Sequence, residues 1–348
     1  MNAIPQTMRA IQLTAPGQPL AALDITVPSP GAGEVLVRVK AAGICHSDAH
    51  YRAGTSPVGR LPITLGHEVA GEVAGLGPEV TALAEGDRVC LHYLVTCGEC
   101  RYCRGGAEQF CPQAEMLGKD RDGGYGQYQV VPARNAYRLP AGVTIEQGAV
   151  MMCSSATALH ALHKARLQTG ETVAVFGAGG LGLSAVQLAW ALGAGEVYAV
   201  DIKPAALEMA QRLGAVPVNA AETDPVTELR RRAGGGVDVA LELIGLPQTM
   251  EQAVRALGPL GRAALAGITD RSFSIAPYEE LIGREAEVIG VSDHLATEIP
   301  QLIELVAAGR LDLDAVITAT VPLEAKAVNQ VLDRLAEFGG EGRVVIRP

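Results

Sequence analysis

Aromatic residues make up only 4% of the chain, and tryptophan occurs once. No stretch approaches the ~20 unbroken apolar residues that a bilayer-spanning helix requires. Positive charge is also in deficit. A formal charge of -10 leaves no cationic stripe to neutralise phosphates, which argues against a nucleic-acid partner. The opening residues, Met-Asn-Ala-Ile-Pro-Gln, lack the charged-then-apolar layout of a secretory signal. Internal repeats and low-complexity tracts are missing too. The cysteines number seven, an odd count with four of them clustered, which fits metal ligation in a reducing compartment better than a disulfide framework. The expectation is a soluble, cytoplasmic protein with neither a membrane nor a nucleic-acid partner.

What is present is glycine (41 residues) and a 48% apolar content over 348 residues, enough for two domains with a core each. Few aromatics and many small aliphatics suit an Ala/Val/Leu-packed α/β enzyme. The first 150 or so residues read as short strands broken by Gly and Pro. Glu34–Lys40 alternates as a half-buried strand, Gly71–Leu76 and Arg88–Leu91 read as further ones, and Pro28–Gly33 and Arg121–Gly126 as turns. Beyond Met152 the texture changes. Strands at Thr172–Phe176, Glu196–Asp201, Val237–Leu243, Arg262–Ala266 and Ala286–Val291 are interleaved with helices at Leu181–Leu192 and Ala205–Leu213. Buried strands alternating with helices imply a parallel sheet covered on both faces. A helix over Ile299–Gly309 and strands at Val316–Val321 and Gly342–Ile346 follow, and this last segment is expected to return to the first domain.

Cys97, Cys100, Cys103 and Cys111 lie within 15 residues. Four thiolates at that spacing can close tetrahedrally on one Zn²⁺ with no position left open, which makes the site structural. Gly177-Ala178-Gly179-Gly180-Leu181-Gly182 follows an apolar strand and opens a helix. It can serve as a tight strand–helix turn or as a pyrophosphate cradle at a helix N-terminus. Asp201 ends the next strand 19 residues past Gly182, where an acid can hold the adenosine ribose hydroxyls and repel a 2′-phosphate. That favours NAD over NADP, while nearby Lys203 softens the repulsion. Cys45, His67 and Cys153 would form a three-ligand zinc site with an open fourth position. From spacing alone, buried cysteines and a surface histidine explain them better.

Together these motifs resemble the zinc-dependent alcohol dehydrogenases of the medium-chain dehydrogenase/reductase family, in the short-loop form typical of bacterial and yeast members. Gly66-His67-Glu68-Val69-Ala70-Gly71 continuing to Gly77 and Val80, the four-cysteine lobe, the glycine fingerprint and the closing Gly342-Arg343-Val344 fall in the family's order along the whole chain. The resemblance implies a Rossmann doubly wound parallel sheet with an irregular, mostly β, GroES-like catalytic domain. The expected division is 1–153 plus 295–348 for the catalytic domain and 154–294 for the NAD-binding domain. It makes Cys45, His67 and Cys153 ligands of a catalytic zinc, with Glu68 a transient fourth, and the four cysteines ligands of a structural zinc, two per chain.

By the same resemblance Asp48 orients His67, Ser47 takes the alcohol proton, and His50 passes it to solvent. Thr157 lies near the nicotinamide ribose, His46 and Arg343 meet the pyrophosphate, and Ile268 and Val291 lie against the cofactor. His92 and Tyr93 line the substrate pocket. Cys90 reads as a small buried hydrophobe, and His160, His163 and His294 as packing, surface or loop residues. The implied activity is reversible, NAD-dependent oxidation of an alcohol. Polyol, threonine and cyclic-alcohol dehydrogenases share both zinc patterns, and a non-catalytic NAD-binding relative is the reading outside enzymes. Only 41 residues separate Cys111 from Cys153, so the long loop of the dimeric liver-type enzymes is absent and a homotetramer is expected.

Overall fold

The computed structural model describes residues 4–337 and 342–348. Residues 1–3, the start of the N-terminal stretch read above, and 338–341 lie outside the described residues. The chain divides into two compact units. One runs to Cys153 and takes in Leu295–Ala307 and Leu313–Pro348; the other comprises Ser154–His294 and Ala308–Asp312.

The first unit is built on the long strand Glu34–Ile44, whose alternating E-V-L-V-R-V-K start buries Val35, Val37 and Val39. It pairs antiparallel with Glu68–Leu76 along one edge. Along the other it pairs first with Tyr128–Pro132 and then, near its end, with Arg343–Arg347. The pairing with Glu68–Leu76 carries two register shifts, one leaving Ala74 of that strand unpaired and one leaving Lys40 of this strand unpaired, as bulges do. Arg88–Leu91 and Ala136–Arg138 extend the sheet on one side and Ile317–Pro322 on the other. A smaller sheet joins Ala21–Thr26, Thr7–Leu13 and Ile63–Thr64. One core of Ile, Leu, Val and Tyr side chains runs through the unit, including Ile11, Leu13, Leu65 and Tyr125.

The second unit is a six-stranded parallel sheet in the order Val216–Asn219, Glu196–Asp201, Thr172–Phe176, Val237–Glu242, Leu257–Leu265, Glu287–Gly290. This third-second-first-fourth-fifth-sixth sequence is the Rossmann doubly wound order. Helices at Ala156–Lys164, Gly180–Ala191, Pro204–Arg212, Pro225–Arg232 and Pro247–Arg255 accompany it. The strands are continuous apolar runs because both faces are covered, and Val173, Ala174, Val175 and Phe176 are fully buried. Gly180–Ala191 is buried from Gly182 to Ala189, which explains its nearly all-apolar sequence.

Gly182 ties this helix to the turn before it: a Cβ there would lie 1.7 Å from the Gly177 carbonyl oxygen. A Cβ at Gly179 would meet nothing within 4 Å. Gly182→Ala is therefore expected to destabilise the second unit by on the order of 3 kcal/mol, and Gly179→Ala by less than about 1. Trp190, the single tryptophan, sits on the same helix, so its fluorescence during thermal unfolding reads both variants. Equal midpoints for the two would refute this account.

Candidate metal and nucleotide sites

Cys45 occupies the N-cap position of helix His46–Ala53, directly after strand Glu34–Ile44, and its N–H donates to Asp48 Oδ2 at 2.9 Å. His67 immediately precedes strand Glu68–Leu76, and Cys153 sits in a π-helical turn, Met151–Ser155. Such turns cluster at functional positions. The antiparallel pairing of Gly43 with Glu68 and of Val344 with Ile44 brings these segments together. One ligand atom each from Cys45, His67, Glu68 and Cys153 lies within 4.8 Å of all the others, and Cys97, Cys100, Cys103 and Cys111 form a second such group. Among the described residues these are the two groups that converge in this way.

The spacing tests the fit to zinc. Two sulfurs each about 2.3 Å from a tetrahedral centre lie about 3.8 Å apart. Cys45 and Cys153 Sγ are 3.8 Å apart, and the lobe gives 3.5 Å for Cys100–Cys103, 3.6 Å for Cys97–Cys111 and 3.9 Å for Cys97–Cys103. A disulfide needs about 2.05 Å, and all seven cysteines are free. Neither His67 ring nitrogen has a hydrogen-bond partner, although Asp48 Oδ1 is 3.4 Å from Nδ1. A buried and a half-buried thiol, an imidazole without a hydrogen bond and a carboxylate are a donor set that suits a borderline divalent metal.

The electrostatics fit the same conclusion. Contact with Cys153 holds the Cys45 thiol well below its usual range and raises Cys153 well above it, because two thiolates this close share one negative charge until a cation arrives. Burial opposes a charge on His67, but Asp48 and Cys45 outweigh it and hold the imidazole well above its usual value. Burial pushes the Glu68 carboxyl up to about 7 against the pull of Arg343, whose Nη2 lies 3.2 Å from Oε1. Gly43 leaves the room for Glu68: a Cβ there would sit 2.0 Å from Oε2. In the lobe, the backbone N–H groups of Glu99 and Cys100 draw the Cys97 thiol down to about 6.

The other predicted residues distribute as follows. Ser47 Oγ is 3.8 Å from Cys45 Sγ; His50 Nδ1 is 3.3 Å from Thr55 Oγ1, and its ring centroid is 4.8 Å from that of His46. Burial, then His50, lowers the His46 pKa. Tyr93 is buried and meets the His67 ring edge-on at 5.4 Å, with His92 buried beside it. Arg343 contacts Glu68 within the metal group, a role beyond the pyrophosphate contact expected of it. Cys90 is buried and its thiol pushed up to about 12; His160 is buried and His163 exposed on one helix, and His294 is buried in a loop. None of these four joins either ligand group.

In the second unit, Gly177, Asp201, Ile268 and Val291 all follow carboxyl ends of parallel strands, where open α/β sheets bind ligands. Gly177 has φ +99, and Gly179 caps the helix that Gly180 and Leu181 begin. Asp201 accepts N–H bonds from Ala178 through Oδ2 and from Ile202 and Lys203 through Oδ1, at 2.8 to 3.0 Å. Thr157 is half-buried on helix Ala156–Lys164, and Ile268 is exposed. Sequence reading missed Ile244, whose side chain covers Gly177, and Glu242, a fully buried carboxylate whose Oε1 accepts from Ile244 N, Gly245 N and Thr249 Oγ1. An acid ending an apolar strand was the available signal for Glu242. Also missed was Tyr125, whose hydroxyl donates to Asp48 at 2.8 Å.

Comparison with known proteins bears on the whole arrangement. The profile of the alcohol dehydrogenase GroES-like domain matches residues 31–141, and that of the zinc-binding dehydrogenases matches residues 180–308. An NAD-dependent alcohol dehydrogenase of Sulfurisphaera tokodaii is 35% identical, over 98% of this chain and all of that protein. The chain belongs to the zinc-binding alcohol dehydrogenase family. A sorbitol dehydrogenase of Bacillus subtilis is 32% identical over 98% of this chain and 97% of its own length. A thermostable alcohol dehydrogenase from Pyrobaculum aerophilum, solved with cobalt and zinc bound, superposes with a TM-score of 0.87 at 32% identity, covering 98% of this chain and all of that one.

Within this family member His92 gives a pH prediction. Burial drives its pKa down from 6.5 to about 4. Between those values the unfolded chain takes up a proton that the folded chain does not, so stability is lost as pH falls through the window. His92→Gln should remove up to about 1.4 kcal/mol per pH unit from that slope. Denaturant unfolding between pH 6.5 and 4 measures it, and parallel slopes for the variant and wild type would contradict the assignment.

Proposed function

We propose that the chain catalyses reversible oxidation of an alcohol to an aldehyde or ketone, with NAD as hydride acceptor and zinc held by Cys45, His67 and Cys153. The observation that carries this reading is the convergence of two thiols and an imidazole on one point, backed by Glu68 and Arg343 and flanked by the Ser47 hydroxyl. When bound, zinc supplies a Lewis acid that acidifies the alcohol, and NAD supplies the hydride acceptor. Three protein donors leave room for substrate, with Glu68 a transient fourth. Asp48 fixes the orientation of His67. Ser47 Oγ takes the alcohol proton, and His50, one turn along the same helix, releases it to solvent. His92 and Tyr93 shape the pocket. The four-cysteine lobe holds a second, structural zinc.

In the second unit the Gly177–Gly182 turn, Thr157, Ile268 and Val291 hold the dinucleotide. Asp201 selects NAD by repelling a 2′-phosphate, tempered by Lys203. The short Cys111–Cys153 connection supports a homotetramer, and seven unbridged cysteines suit the cytoplasm. A polyol or threonine is the second substrate reading, supported by relatives named sorbitol dehydrogenase and L-threonine 3-dehydrogenase.

Two zincs per chain are expected by metal analysis, together with chelator-sensitive NADH formation across a panel of primary, secondary, cyclic and polyol alcohols. A zinc-replete protein inactive on every one of them, or active after loss of the metal at Cys45, His67 and Cys153, would sink the proposal. His50→Gln should slow alcohol oxidation most at low pH, where releasing a proton is hardest. An unchanged pH profile removes His50 from the proton path.

A further inference from the structure

We propose that Tyr125 is a positioning residue for the catalytic metal, acting on His67 through Asp48. The inference rests on the zinc reading of the Cys45, His67 and Cys153 group.

Tyr125 is fully buried, and a buried phenol needs a partner for its hydroxyl. That partner is Asp48 Oδ2 at 2.8 Å, the oxygen that also accepts the Cys45 N–H. The other carboxylate oxygen, Oδ1, faces His67 Nδ1. Asp48 is itself completely buried, so its two donors on Oδ2 fix which way Oδ1 points.

The ring of Tyr125 does a second job. A Cβ on Gly66 would lie 2.4 Å from its Cδ1, so the ring packs directly against the residue that leads into His67. Its backbone N–H donates to Leu65 O, and Gly124 N–H donates to Gly66 O, so the same short segment grips the chain on which His67 is mounted. One side chain therefore sets both the approach of the ligand backbone and the carboxylate behind the ligand ring. Phenylalanine would keep the first contact and lose only the second.

Loss of a group that orients a metal-bound imidazole typically weakens metal binding 10–100-fold, and Tyr125 stands one hydrogen bond further out, so about tenfold is expected. The test follows zinc release from the zinc-replete full chain into excess chromogenic chelator. The phase belonging to Cys45, His67 and Cys153 is assigned by its absence in Cys153→Ser. Tyr125→Phe should speed that phase about tenfold and leave release from the four-cysteine lobe unchanged. Asp48→Asn should speed it at least as much, and the double variant no more than Asp48→Asn alone, because both changes cut the same link.

Genetically installed 3-fluorotyrosine at position 125, which keeps the ring and makes a stronger donor, should slow the same phase. It decides the matter if the phenylalanine variant does not fold. Release unchanged in both position-125 proteins, or additive effects in the double variant, would overturn the role of Tyr125 alone. A wild type that releases zinc from the four-cysteine lobe only would overturn the reading of the site, and the role of Tyr125 with it.

Discussion

The constraint on which this structure depends is an excess of buried acidic groups. Cys45, Asp48 and Glu68 are buried and Cys153 lies against them, with the Arg343 guanidinium in contact with Glu68 and the His67 imidazole held toward its charged form. Leaving several such groups ionised and unpaired would be untenable, since each buried ion carries a penalty of several kcal/mol. Without a metal the balance is restored by protons, which is why burial raises Glu68 to about 7 and Cys153 rises well above the ordinary thiol range. A divalent cation bound there would replace those protons and turn the thiols into ligands, so metal uptake and proton release would be one equilibrium. The fold serves this balance at long range. The strand Arg343–Arg347 comes from the far end of the chain to pair beside Ile44, and that pairing sets the guanidinium against Glu68.

The second unit solves a different problem, holding a polyanion with neutral groups. Its carboxyl edge collects Gly177, Asp201 and the chain after Glu242 within one turn of the sheet ends. Asp201 is already engaged by three backbone N–H groups, one of them from Ala178 inside the glycine turn. The carboxylate is thereby held in one orientation by the fold itself, and a group oriented in advance costs less ordering when it binds a ligand. Glu242 does the equivalent for the neighbouring loop, where it accepts from Ile244, Gly245 and Thr249.

Legibility of the sequence followed the strength of local pattern. Thr172–Phe176, Glu196–Asp201 and Arg88–Leu91 fall at the residues their apolar runs predicted. The strand expected at Arg262–Ala266 begins at Leu257, which pairs with Val237 ahead of an irregularity: Gly258, Pro259 and Gly261 break the local pattern, and the register to Val237–Glu242 skips them before resuming at Arg262. Helix His46–Ala53 went unseen because its sequence is mostly polar; it is fixed by its cap at Cys45 and by burial of Ala49 and Tyr51. Helices Pro225–Arg232 and Pro247–Arg255 were missed although each opens with a first-turn proline, a usable start signal. At the sites, the four-cysteine group was readable from spacing. Cys45, His67 and Cys153 are too far apart in sequence for spacing to join them, and it took a family resemblance to do so. Tyr125 carried no signal at all, because its role exists only once strand pairing has folded residue 125 beneath residue 66.

That last case explains the motif itself. The Gly-His-Glu run looks like a signature of the ligand, yet its glycine answers to packing. Gly66 adopts φ +96 and faces the Tyr125 ring at a distance no Cβ could occupy, while Gly43 across the sheet makes room for the Glu68 carboxylate. The residues on either side of His67 are thus set by two contacts from other strands and turns, one aromatic and one ionic. A Cβ at Gly66 would force the Tyr125 ring or the chain leading into His67 to shift, and one at Gly43 would displace the Glu68 side chain. The short motif is best understood as the local trace of a long-range packing requirement, with the placement of His67 as its consequence.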